Sequence, residues 1–334
     1  MNVIKRNTLP AGIAMVKSFL LLFTVLFIAG SAWAVSAGGV TINKEVDTTT
    51  PIKELKSAAE QGDASAQFNL GLRHANGRGV GLDFSEAVKW FRKAAEQGNA
   101  LAQHNLGHLY LTGQGVEHSD SEAAKWSRKA AEQGVVEAQY NLGLLYYNGR
   151  GVERDYDEAF KWYRKAAEQG DKVARHSVGV MYHYGQGVKR DSGEAAKWYR
   201  MAAEQGVAVA QYNLGIMYEN GQGVGRDYGA AVKWYRKAAE QGVAEAQYNL
   251  GLLYYYGREV ERDYGEAAKW TRKAAEQGDA DAQYVLGYMY ATDKGVEQNE
   301  TRAYELWSDA AKQGIQRAQK DLDVLCKKNP EVCR

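Results

Sequence analysis

Along most of the chain, apolar residues recur at the spacing of one helix face, in blocks cut off by glycine-rich breaks. In residues 135–170 the first block spans about 136–147 and sets Ala138, Leu142, Leu145 and Tyr146 on one stripe. It stops at Asn148-Gly149-Arg150-Gly151, where glycine takes the left-handed conformation that closes a helix. The second block starts at Asp155, places Ala159, Trp162, Tyr163, Ala166 and Ala167 on one stripe, and ends at Gly170. No alternation of period two appears, so the pattern predicts two helices and no strand.

That pair of blocks repeats. Ala-Ala-Glu-Gln-Gly begins at Ala58, Ala94, Ala130, Ala166, Ala202, Ala238 and Ala274, and returns at Ala310 with lysine for glutamate, always 36 residues on. Residues 63–314 therefore divide into seven units, 63–98, 99–134, 135–170, 171–206, 207–242, 243–278 and 279–314. The second helix is announced by Asp83, Ser119, Asp155, Asp191, Asp227, Asp263 and Asn299, all preferred N-caps. Glu86, Glu122, Glu158, Glu194 and Glu266 follow three positions later and predict reciprocal capping boxes. A lone helix pair cannot bury its apolar stripe, so units must stack, and the fold class is an all-α solenoid.

Alanine, leucine-glycine and tyrosine at 138, 142–143 and 146, Gly149, Gly151 and Val152, then Ala159, Trp162, Ala166, Ala167 and Gly170 resemble the Sel-one-like repeat. This family is related to the tetratricopeptide repeat. The resemblance implies a right-handed superhelix whose first helices line a concave surface and which serves as an adaptor for proteins or peptides. Secreted bacterial members are associated with envelope functions or host contact. Some cysteine-rich members are described as penicillin-binding or β-lactamase-like, which gives an enzymatic alternative. Those carry cysteine pairs in many units, whereas this chain has one terminal pair.

Departures from the pattern cluster towards the ends. His74 takes the tyrosine slot of the first unit, Glu259 the second loop glycine of the sixth, and Asp293 the first loop glycine of the seventh. Leu306, with Trp307 beside it, takes the tryptophan slot of the last unit. Terminal units with one wet face are expected to be atypical. Thr50-Pro51 reads as N-cap and first helical residue of a capping helix within 51–62. A further helix with a tail fills 315–334, where Cys326 and Cys333 straddle Pro330 and are expected to form one disulfide.

Residues 1–34 read as a signal peptide. Lys5, Arg6 and Lys17 precede an apolar run at 19–29, and Ala32-Trp33-Ala34 offers small residues at a cleavage site. The run is shorter than the roughly 20 residues of a spanning helix. Cleavage before Val35 would leave a linker at 35–50 and an exported chain, periplasmic or secreted, without an integral membrane segment. It would also leave 39 basic against 41 acidic residues, from 42 and 41 in the full sequence. So balanced a charge argues against nucleic acid as the main partner.

Slots that vary between units carry the functional expectation. With positions numbered from the preceding glycine and about 100° per residue, the thirteenth and fourteenth slots of the first helix lie opposite its core stripe. They hold Tyr147, His183, Tyr184, Glu219, Tyr255 and Tyr256, an aromatic-rich set suited to binding a protein or peptide. The sixth slot, Phe68, His104, Tyr140, His176, Tyr212, Tyr248 and Tyr284, is nearly constant and reads as packing. Loop arginines Arg150, Arg154, Arg226 and Arg262 are the next candidates. Lys161, Arg164 and Lys165 read as a solvated outer face. His104 and His108, four apart, with His74 on the neighbouring first helix, form a candidate metal set, although no glutamate lies between the pair as in a zinc protease. No nucleophile motif or phosphate loop appears after residue 34, and no cofactor is implied. The expectation is a non-catalytic adaptor.

Overall fold

The computed structural model describes residues 50–333, so the candidate signal peptide and most of the linker lie outside the described residues. The chain divides into two compact units between Arg190 and Asp191. The N-terminal one holds α1 (Ile52–Glu60), α2 (Ala64–Asn76), α3 (Phe84–Glu96), α4 (Ala100–Thr112), α5 (Asp120–Glu132), α6 (Val136–Asn148), α7 (Tyr156–Glu168) and α8 (Lys172–Tyr184). The C-terminal one holds α9 (Ser192–Glu204), α10 (Ala208–Asn220), α11 (Tyr228–Glu240), α12 (Ala244–Tyr256), α13 (Tyr264–Glu276), α14 (Ala280–Thr292), α15 (Glu300–Lys312) and α16 (Gln316–Lys328). Among the described residues there is no strand, and no helix is long and apolar enough to cross a membrane.

Each predicted N-cap of a second helix accepts a backbone N–H from its first turn, as Asp155 Oδ1 does from Asp157 and Glu158 at 2.9 and 3.0 Å. The reciprocal half of the capping box is different. The N-cap amide is already spent on the carbonyl of the preceding first helix, Asp155 N donating to Tyr146 O and Asp263 N to Tyr254 O. The glutamate is thereby released for other partners. Glu122, Glu158 and Glu266 instead accept from the indole N–H of Trp126, Trp162 and Trp270 at 3.0–3.1 Å, and each also takes a lysine.

Two devices lock helix to helix. The ninth position of the first helix is glycine because the second helix approaches it closely, with a ring in several repeats and with Ser127 or Thr271 at Gly107 and Gly251. A Cβ at Gly143 would stand 2.7 Å from Tyr163 Cδ1, and one at Gly215 would stand 2.6 Å from Tyr235 Cδ1. Glutamine supplies the other device. Gln169 donates to Gln139, which donates to the carbonyl of Ala131 in the preceding repeat, at 2.7 and 3.2 Å. The same relay runs through Gln133 and Gln103, and through Gln277 and Gln247. Arg175 replaces the inner glutamine at α8 and still reaches Ala167 O at 3.1 Å. The constant glutamine is thus a stitch between repeats, since a buried carbonyl left unpaired is costly.

The loops dock on the preceding repeat by backbone approach. A Cβ at Gly151 would stand 2.0 Å from Asp120 O, and the residue adopts φ +68°, so a side chain is excluded twice over. Glu259 holds the equivalent slot at φ 53°. A non-glycine residue there carries a left-handed penalty of roughly 1–2 kcal/mol, partly offset by the greater freedom of glycine in the unfolded chain. Glu259→Gly is therefore expected to stabilise the protein by about 1 kcal/mol, read as a rise in the denaturant midpoint. A lowered midpoint would show that the glutamate side chain compensates its backbone.

The ends are closed as the sequence suggests, with one shift. Pro51 rather than Thr50 stands at the N-cap of α1, with no side-chain cap, because the Thr50 carbonyl is taken by Arg73 Nη2 at 2.7 Å. Leu55 and Ala59 of α1 then bury against Leu70 and Trp90. At the other end Ala318, Leu322 and Leu325 of α16 complete the last apolar cluster. Cys326 and Cys333 form the expected disulfide, which keeps Val332 against that cluster.

Candidate functional site

The near-constant sixth slot faces the second helix of its own repeat. Phe68 packs on Phe91, Tyr140 on Tyr163 and Tyr212 on Tyr235, with centroids 5.4–5.9 Å apart. Burial pushes the Tyr140 hydroxyl up to about 12, with Asp171 adding to the effect. In repeat 2 the facing ring is replaced by buried Ser127, and the vacated space takes His104, with His108 and Asn105 also buried. Burial depresses His104 and His108 to about 4, with His104 contributing further to the His108 shift, so both are neutral imidazoles at pH 7. Among the described residues no three His, Cys, Asp or Glu side chains are placed to hold a metal, so His74 does not complete a ligand set.

The variable slots sit at the C-terminal ends of the first helices, where the loops begin. They are more engaged than a free groove would be. Tyr147 is half-buried, meets the Tyr156 ring at 5.2 Å and donates from its hydroxyl to Gln186 in the next loop at 3.0 Å. His183 is buried edge-on against Tyr184 at 4.8 Å. Glu219 is half-buried and accepts from the Tyr235 hydroxyl at 2.7 Å, and burial holds its carboxyl above the usual range. Tyr255 is buried between Tyr256 and Tyr264, both at 5.1 Å, and accepts from Lys294 Nζ at 2.7 Å. Tyr147 and Tyr255 thus reach the loop of the next repeat, through Gln186 and Lys294, whereas Glu219 bonds within its own repeat. Tyr184 and Tyr256, in the fourteenth slot, are half-buried and present part of their rings outward.

Of the residues that follow the first loop glycine, sequence reasoning singled out Arg150 alone. The slot reads Arg78, Gln114, Arg150, Gln186, Gln222, Arg258 and Lys294, and at several joints it meets the first residue of the preceding second helix. Asp120 takes Arg150 in a bidentate pair at 2.8 and 3.1 Å. Tyr228 instead lies 5.6 Å below Arg258, which also covers Tyr256 at 5.6 Å. Tabulating loop slots as well as helix slots would have revealed this alternation. On the outer face Lys161 pairs with Glu158, Arg164 with Glu168, and Lys165 lies 4.2 Å over Trp162, all with exposed heads.

Helix pairs stacked at a fixed period, with constant packing slots and varying residues at one edge, define a repeat scaffold of the kind that serves protein interaction. The family model for the Sel1 repeat matches residues 64–99, 100–135, 136–171, 173–207, 208–243, 244–279 and 280–315. The chain belongs to the Sel1 repeat family. It is 40% identical to a protective antigen of uropathogenic Escherichia coli strains that displays an SLR fold, with TM-score 0.79 over 82% of this chain and 59% of the other. It thus spans little more than half of that protein. A Sel1 repeat protein from Oxalobacter formigenes is 35% identical, with TM-score 0.66 over 91% of this chain and 90% of the other. No curated protein matches the chain.

Proposed function

We propose that this chain is an exported, non-catalytic adaptor that binds a protein or peptide segment along the edge formed by its first-helix ends and loops. One observation carries the proposal. Packing slots repeat almost unchanged, whereas the fourteenth slot changes chemistry from repeat to repeat and leaves Tyr184 and Tyr256 partly exposed. Tyrosine offers a large amphipathic contact at low entropic cost, as interfaces require. The terminal disulfide fits an oxidising compartment. The resemblance to a protective antigen supports export and a role in envelope function or host contact.

The working pair is narrower than the sequence suggested, because Tyr147 and Tyr255 are tied to the next loop and His183 is buried. Tyr184→Ala with Tyr256→Ala is expected to weaken partner capture at least tenfold, about 1.4 kcal/mol, at unchanged helicity. The measurement is capture of a stoichiometric protein from an envelope extract, by wild type and double variant side by side. Equal capture by both would remove these tyrosines from the interface.

A further inference from the structure

We propose that the loop edge of the C-terminal unit binds an acidic peptide segment through Arg226, Arg258, Arg262 and Lys294 mounted on tyrosine rings. This rests on the adaptor reading and names the chemistry of the partner at the same edge. Arg226 and Arg258 lie over Tyr228 at 5.9 and 5.6 Å, and Arg262 over Tyr264 at 5.5 Å. Lys294 lies over Tyr255, Tyr264 and Tyr288 at 5.0–5.5 Å.

The contrast with Arg150 gives these cations their meaning. That arginine spends its fork on Asp120. At the joints of Arg258 and Lys294 the residue at the Asp120 slot is Tyr228 and Tyr264, and both cations rest on rings, as Arg154 does on Tyr156. Among the described residues none of the four forms an ion pair with a carboxylate. A ring beneath a guanidinium covers its face and fixes its plane. A guanidinium so restrained can take a carboxylate with two parallel hydrogen bonds from its edge N–H donors. Arg226 and Arg262 are exposed, and Arg258 and Lys294 are partly so.

The negative groups at this edge choose the kind of anion. Glu259 and Glu261, exposed, lie between Arg258 and Arg262 in sequence, and Glu219 is near enough to feel the Arg258 charge. A nucleic acid brings one phosphate charge about every 1.7 Å of duplex and would set phosphates against those glutamates. A peptide with spaced Asp or Glu side chains can meet the arginines and leave the glutamates facing neutral residues.

The test is fluorescence anisotropy of the full chain with a labelled peptide of alternating glycine and glutamate, and with its glycine–glutamine counterpart. The glutamate probe is expected to bind, and to weaken when salt rises from about 50 to about 200 mM. Arg258→Gln with Arg262→Gln should weaken it at least tenfold, whereas Lys161→Gln on the outer face should leave it within about twofold. Arg258→Lys, which keeps the charge without the fork, should fall between. If the double variant melts early, Arg226→Gln, exposed in its loop, serves in its place. Equal binding of the glutamine probe, unchanged binding by the arginine variants, or tighter binding of a single-stranded oligonucleotide of matched charge would each overturn the proposal. Partner capture that survives the arginine changes would sink this inference alone. Probe binding without any captured partner would instead sink the adaptor reading.

Discussion

Acidification from pH 7 to pH 4 is expected to open residues 50–190 while residues 191–333 stay folded. All six histidines lie in the N-terminal unit, and burial depresses His104, His108 and His176 to about 4 from an ordinary 6.5. The unfolded chain therefore binds more protons than the folded one between those values. Stability is fully present above pH 6.5 and drains away as pH falls towards 4, by on the order of 3 kcal/mol for each histidine. Burial raises Asp171, which acts in the opposite direction, and so do Glu219 and Asp321 in the C-terminal unit. Their stabilising effect grows as pH falls through their raised folded values towards the ordinary carboxylate range, and it offsets part of the histidine loss. Hydrogen exchange at pH 7 and pH 5, corrected for intrinsic rates, should show α4 and α8 losing protection first. His104→Tyr and His108→Leu, the residue types of other repeats, should flatten the pH dependence there. Equal loss of protection in both units would contradict this account.

Trp162→Ala is expected to cost about 3–5 kcal/mol and to part repeat 3 from repeat 2. The indole is buried among Ala130, Ala131, Ala138 and Leu142, so its removal empties the contact between successive repeats. It also strands the Glu158 oxygen that accepts its N–H at 3.0 Å, and removes the ring under Lys165. In a stack whose cohesion comes from nearest neighbours, the loss should appear as a separate early transition in a denaturant titration. A single transition shifted by under about 1 kcal/mol would show that the indole is peripheral.

The period of 36 residues made the helix count, the N-caps and the stacking legible, because each unit restates the same local rules. The joints were not legible, since their partners are separated by lengths that only the stacking register defines. Arg150 finds Asp120 30 residues back, and Tyr147 finds Gln186 39 residues ahead. Turning the first helix by 100° per residue set the thirteenth slot opposite the core stripe, yet Ala75, His183 and Tyr255 are buried. That rotation says nothing of the next repeat's loop, which covers Tyr147 and Tyr255. The capping boxes failed halfway for a related reason, because a carbonyl of the first helix claims the N-cap amide before the glutamate can. Of the candidate edge, the tyrosines were visible as a varying series, whereas Arg258 and Lys294 gain their place only from the rings beneath them.

The central claim is that the chain holds a partner without altering it. Its most direct test is size-exclusion chromatography with light scattering on the chain mixed with its captured partner, followed by intact mass of both components. The account predicts a stoichiometric complex from which the partner emerges with unchanged mass. A partner that is cleaved or covalently changed, or a mixture that elutes as two separate species, would contradict it.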